Sequence, residues 1–103
     1  MITLEQIRTI ALNLPAVTES LHFRLPTFKI VDKGFITVQK DAAIISLPEE
    51  LCSALSSVEP NKFELVQRNK KYFVGLKINL SLCNVAELRP LIIQAYEYRK
   101  SKK

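Results

Sequence analysis

The hydrophobic period of this chain switches from helical to alternating and back, and that switching constrains its fold more than any other feature. In "TLEQIRTIALNL" (residues 3–14), Leu4, Ile7, Ala11 and Leu14 share one helical face. Thr3 followed by Gln6 is a capping-box pattern, and Asn13 with Pro15 predicts a stop near residue 13. After a loop, "TFKIVDKGFITVQK" (27–40) turns to period two, with Phe28 and Ile30 on one face and Lys29 and Val31 on the other. Its "DKG" reads as a tight turn in which Gly34 takes positive φ. A β-hairpin followed by a third strand in "AAIISL" (42–47) is the expectation.

Pro48 suits the first turn of a second helix, with Leu51, Ala54, Leu55 and Val58 inward, and Pro60 prevents its continuation. "KFELVQ" (62–67) and "KYFVGLKI" (71–78) read as two more strands joined by the tip "RNKK" (68–71). Asn84 and Glu87 then cap a last helix whose stripe is Leu88, Leu91, Ile92 and Ala95. Pro90 inside that stripe predicts a kink or a first turn set apart, and "YRKSKK" should fray. The expected fold is one α+β domain over residues 1–103. It is a two-layer arrangement of helix, three strands, helix, two strands and helix, with an antiparallel sheet covered by helices on one face.

A chain of 103 residues holds one modest core. Two glycines are too few for a phosphate-cradling loop, and neither a Walker pattern nor GxGxxG occurs. Cys52 and Cys83 fit no zinc or redox spacing and read as small buried hydrophobes, with a disulfide between them as the other option. No basic segment leads into an apolar run at the start, and no apolar run reaches the roughly 18 residues of a membrane span. The reading is a cytoplasmic protein without a membrane partner, cofactor or metal. Charge is uneven: residues 1–61 sum to −2 and residues 62–103 to +7. That asymmetry suggests an anionic partner such as DNA, or else a solvated basic surface.

His22, in "ESLHFRLPTFKI", is the single histidine. Ser20 and Glu19 supply the residue types of a nucleophile and an orienting carboxylate, but neighbours in sequence do not make a triad. The stretch reads as architecture, with Pro26 steering the chain into a strand. Glu49 and Glu50 suit a helix N-terminus. No catalytic constellation emerges, so no enzyme is expected. The second hairpin carries the strongest functional pattern. Alternation sets Tyr72, Val74, Leu76 and Ile78 on one face and Lys71, Phe73, Gly75 and Lys77 on the other, with Arg68, Asn69 and Lys70 at the tip. Basic residues interleaved with an aromatic can contact phosphates and stack on a base. Lysines on a hairpin also guard a sheet edge. The first hairpin offers Lys29 and Lys33 as weaker equivalents, and the "RKSKK" tail either adds phosphate contacts or is a solvated terminus.

With these residues placed, the chain resembles the MmcQ/YjbR family of small bacterial proteins. "LPAVTESLHFRLPTFKI" is similar to that family's Pro-Gly-Val-x-Glu segment running into Pro-x-Phe-Lys-Val, through Pro15, Val17, Glu19, Pro26, Phe28 and Lys29. The likeness continues through Lys33, Phe35 and "PNKF" (60–63) to Glu87, Leu88, Leu91, Ile92, Ala95 and Tyr96. Ala16 stands where many members have glycine, and Tyr72-Phe73 where tryptophan is common. The resemblance implies a CyaY-like or secretion-chaperone-like topology and a double-wing grip on DNA by two hairpins. A CyaY-like iron ridge is at odds with the positive charge. Three readings follow. The first is DNA binding with little sequence preference through Arg68, Lys70, Lys71, Tyr72, Phe73 and Lys77, helped by Lys29 and Lys33. The second is a protein- or peptide-binding module using the sheet face or edge. The third is a ligand pocket between the first helix and the first hairpin, with His22 and Arg24 at its rim.

Overall fold

A computed structural model of the chain describes residues 2–22, 24–67 and 73–101. Helix α1 (Leu4–Leu12) begins at the expected capping box. Thr3 Oγ1 accepts the Gln6 N–H at 3.2 Å, and Gln6 Oε1 accepts the Thr3 N–H at 2.9 Å. Asn13 ends it, and Ile7, Ile10 and Ala11 are buried.

Residues 17–22, read as loop from sequence, instead form strand β1 (Val17–His22). It pairs antiparallel with β2 (Leu25–Ile30), from Val17 opposite Ile30 to His22 opposite Leu25, and Arg24 in the tight connection has φ 67°. Period two is hidden here because polar residues occupy both faces of an edge strand, and an edge needs less apolar surface. The run before the second helix therefore has four strands, and the order helix, strands, helix, strands, helix holds.

The next turn also differs from expectation. Gly34 has no positive φ; Val31 (46°) and Asp32 (66°) make the turn, between Ile30 and its partner Lys33. Two successive positive φ values match the twist of a two-residue hairpin, and the register, not the glycine, dictates where they fall. Gly34 already lies in β3 (Lys33–Gln39), opposite Lys29. The ladder then passes over Phe35 to pair Phe28 with Ile36, a bulge that a glycine neighbour eases. Strand β4 (Ala42–Ile45) follows.

Helix α2 (Glu49–Val58) buries Cys52, with Leu51 and Leu55 half-buried, while Ala54 and Val58 point outward, Val58 at 77% exposure. The expected stripe was too wide, because α2 rests chiefly on β5 (Phe63–Gln67) and β6 (Phe73–Asn79). Helix α3 (Val85–Ser101) starts at the expected Asn84–Glu87 box, with Asn84 Oδ1 accepting the Glu87 N–H at 2.8 Å. It runs unbroken through Pro90, with no first turn set apart. Ala86, whose carbonyl loses its i+4 donor, and Pro90 itself are both exposed, so water can replace the lost bond. Nor does α3 fray where expected: it stays helical to Ser101, with Tyr98 and Arg99 half-buried.

The six strands form one antiparallel sheet in the order β1-β2-β3-β4-β6-β5. Its register lines up Phe28, Ile36, Ile45, Leu76 and Leu65 across five strands, and beside them Val38, Ala43, Ile78 and Phe63. This face joins the helical stripes in one core with Ile7, Ile10, Cys52, Leu88, Ile92 and Ala95. Tyr96 closes it, edge-on to Phe35 and donating its hydroxyl to the Pro15 carbonyl at 2.8 Å. Both cysteines are buried and form no disulfide. Desolvation pushes the Cys52 thiol up to about 11, so it behaves as the small hydrophobe expected.

Gly75 is required where β4 leaves the sheet for α2. A Cβ there would lie against the backbone carbonyl of Ile45, which has no room to yield. Gly75→Ala should destabilise the protein by about 3 kcal/mol, read from urea unfolding. A loss below about 0.5 kcal/mol would show that this crossing is loosely packed.

Candidate nucleic-acid interface

The register that buries one sheet face defines the other. Thr27, Thr37, Ile44 and Lys77 lie in a row opposite one another, with Glu64 beyond Lys77 at the β5 edge. Ser20, His22 and Lys29 share that face by alternation along β1 and β2. Most of these residues are only partly exposed, and Thr27 is 4% exposed, its hydroxyl donating to the Leu25 carbonyl at 3.2 Å.

Of the residues proposed from sequence, Lys29 and Lys77 come together on this open face. They sit on β2 and β6, three strand spacings or about 14 Å apart across the sheet. Lys33 does not join them, because it pairs with Ile30 and so belongs to the helix-covered side. Leu76 and Ile78 are buried as alternation requires. The β5–β6 ladder slips by one residue between Val66 and Gln67, so alternation counted from Lys77 stops at Gly75. Arg68, Asn69, Lys70, Lys71 and Tyr72 lie outside the described residues, and of Phe73 only its place at the start of β6 is described.

Glu19, Ser20 and His22 form no triad. Glu19 pairs with Phe28 and so faces the helices, while Ser20 and His22 face the other way. Arg8 of α1 holds Glu19, with Nε donating to Oε1 at 2.7 Å and Nη2 to Oε2 at 2.8 Å, and also contacts Glu5. These bonds lower the Glu19 pKa and pin α1 to β1. "ESLHFRLPTFKI" is therefore a hairpin fastened to a helix.

Two concavities open near the uncovered face. One, of about 420 Å3, lies beside the β3–β4 turn and is lined by Lys40, Asp41, Lys62, Glu64 and Lys77. Lys62 is already engaged: its Nζ donates to Glu87 Oε2 at 2.6 Å and lies 3.0 Å from Glu59 Oε2. It joins the end of α2 to the start of α3 and adds little to any anion site. The second, of about 400 Å3, is lined by His22, Thr27, Lys29, Asp32, Ser46 and Arg99 among others. The expected pocket between α1 and the first hairpin is thus corrected. His22 lines a concavity, but its walls come from β1–β4 and α3, and Arg24 is not among them. Arg99 was hidden in the tail, although it lies three residues after Tyr96 and four after Ala95, on the buried stripe. Among the described residues no three His, Cys, Asp or Glu side chains converge as metal ligands. No described helix is long and apolar enough to cross a membrane.

No family model, curated protein or solved structure matches this chain.

Lys62 and the Asn84 N–H together hold Glu87 below the ordinary carboxylate range. A carboxylate depressed in the folded state contributes stability above its unfolded pKa and loses it as pH falls through the folded value. Glu87→Gln should therefore lower Tm at pH 7, and the gap from wild type should narrow between about pH 5 and pH 2. A gap independent of pH, followed by thermal unfolding, would remove this cluster from the electrostatic account.

Proposed function

We propose that the protein binds DNA through its phosphates, using the open sheet face and the β5–β6 hairpin. The observation that carries this reading is the placement of Lys29 and Lys77 on the same, largely polar sheet face, in a chain whose residues 62–103 sum to +7. Arg68, Lys70 and Lys71 add charge next to β6 in sequence, with Tyr72 or Phe73 as a stacking group. Glu64, opposite Lys77, and Asp32 temper the field, so affinity depends on several cations acting together. Few groups on this face can read base edges, and sequence preference is correspondingly weak.

The MmcQ/YjbR resemblance is consistent with this reading, and one backbone feature supports it. Ala16 has φ 66°, a left-handed conformation that favours glycine, at the position where that family commonly carries glycine. A second reading has its own observation. β1 is an edge strand, and Leu21 on it is 71% exposed, which suits addition of a peptide strand.

Fluorescence anisotropy of labelled duplex DNA across a salt series tests the proposal. Wild type should show a steep negative slope of log affinity against log salt, and Lys29→Glu and Lys77→Glu should each weaken binding at every sequence and flatten the slope by about one unit. A slope near zero, or binding indifferent to both charge reversals, would contradict it. Peptide capture lost in Leu21→Asp but kept in the charge variants would favour the edge strand.

A further inference from the structure

We propose that the concavity between the open sheet face and the last turn of α3 is a binding site for a small molecule bearing a phosphate monoester. This goes beyond DNA binding and does not depend on it. The walls come from all of β1–β4 and from α3, with polar groups at His22 on β1, Thr27 and Lys29 on β2, Ser46 just after β4, and Arg99 on α3. The distinguishing observation is Arg99 Nε, which is buried and makes no hydrogen bond. A guanidinium can only donate, so Arg99 calls for an acceptor that its protein neighbours do not give to Nε, and a buried donor left unmatched is costly.

The rest of the lining favours an anionic acceptor. Lys29 and Arg99 carry positive charge against the one carboxylate of Asp32, and Ser46 adds a hydroxyl. The possible donors belong to three separate segments, β2, the residue after β4 and α3, and donors on separate segments suit a tetrahedral phosphate better than a planar carboxylate. Thr27 spends its proton on the Leu25 carbonyl, so its oxygen offers a lone pair to a hydroxyl on the organic part of the ligand. A volume of about 400 Å3 exceeds what inorganic phosphate fills and falls within the range of small-metabolite sites. The backbone supports the shape. Gly34 lies beside Thr27, with an added Cβ only 3.4 Å from Thr27 Cγ2, so any larger residue would extend into this floor.

Isothermal titration with ribose 5-phosphate and with inorganic phosphate, at ionic strength fixed with sodium chloride, tests the site. Ribose 5-phosphate should bind saturably and inorganic phosphate should compete with it. Arg99→Gln and Lys29→Gln should each weaken binding tenfold or more, while Lys100→Gln, one residue further along α3, should leave it unchanged. Circular dichroism melts should show each variant folded. If Arg99→Gln proves unfolded, Gly34→Ser, which narrows the floor and is checked for folding in the same way, takes its place and should weaken the sugar phosphate more than inorganic phosphate. Affinity for duplex DNA should be unchanged in Arg99→Gln. Failure of ribose 5-phosphate to saturate, equal binding in a folded Arg99→Gln, or equal losses of DNA and sugar-phosphate affinity in that variant would each overturn the proposal.

Discussion

The cross-strand register of the sheet is the constraint on which the rest of the molecule depends. Phe28, Ile36, Ile45, Leu76 and Leu65 stand opposite one another, and a slip by one residue in any strand would turn its apolar set to solvent. Three local devices accompany that register: the Val31–Asp32 turn, the bulge at Phe35 and the close approach of Gly75 to Ile45. The helices then have one place to bury their stripes. Arg8–Glu19 fastens α1 to the β1 edge, Lys62 links the end of α2 to the start of α3, and Tyr96 ties α3 to the loop at Pro15.

The same register decides what is left uncovered. Burying Ile36 and Ile45 places Thr37 and Ile44 on the outer face, and burying Leu76 and Ile78 places Lys77 there. Function is thus proposed for the surface that packing leaves over. Lys33 shows the other side of this logic, since it directly follows the tight turn and is basic, yet its pairing with Ile30 removes it from the outer face. Glu19 likewise is adjacent to Ser20 and yet belongs to the helical side.

Much of the fold was legible in the residues. Both capping boxes, the strands with strong alternation and the α3 stripe follow from local patterns that the tertiary structure reinforces. What was not legible depends on partners distant in sequence. β1 lacks apolar alternation because it lies at an edge, and "DKG" attracts the turn to Gly34 although the bulge at Phe35, by pairing Lys29 with Gly34 and Ile30 with Lys33, moves it to Val31–Asp32. Ala54 and Val58 continue the apolar pattern of α2 but face solvent, because the helix buries a narrower stripe around Cys52. Of the candidate site, Lys29 and Lys77 could be named from composition and period, whereas their sharing a face needed the strand order. Arg99 looked like part of a frayed tail, and only the length of α3 brings it to the sheet.

The central claim is that the uncovered sheet face, and not the helical side, meets an anionic partner. Amide chemical-shift mapping of the folded protein with short duplex DNA tests it most directly. The account predicts salt-sensitive shifts at Lys29, Thr37, Ile44 and Lys77, with Glu5, Arg89 and Ile93 on the helices unmoved. Shifts concentrated on α1 and α3, or none at low salt, would contradict it.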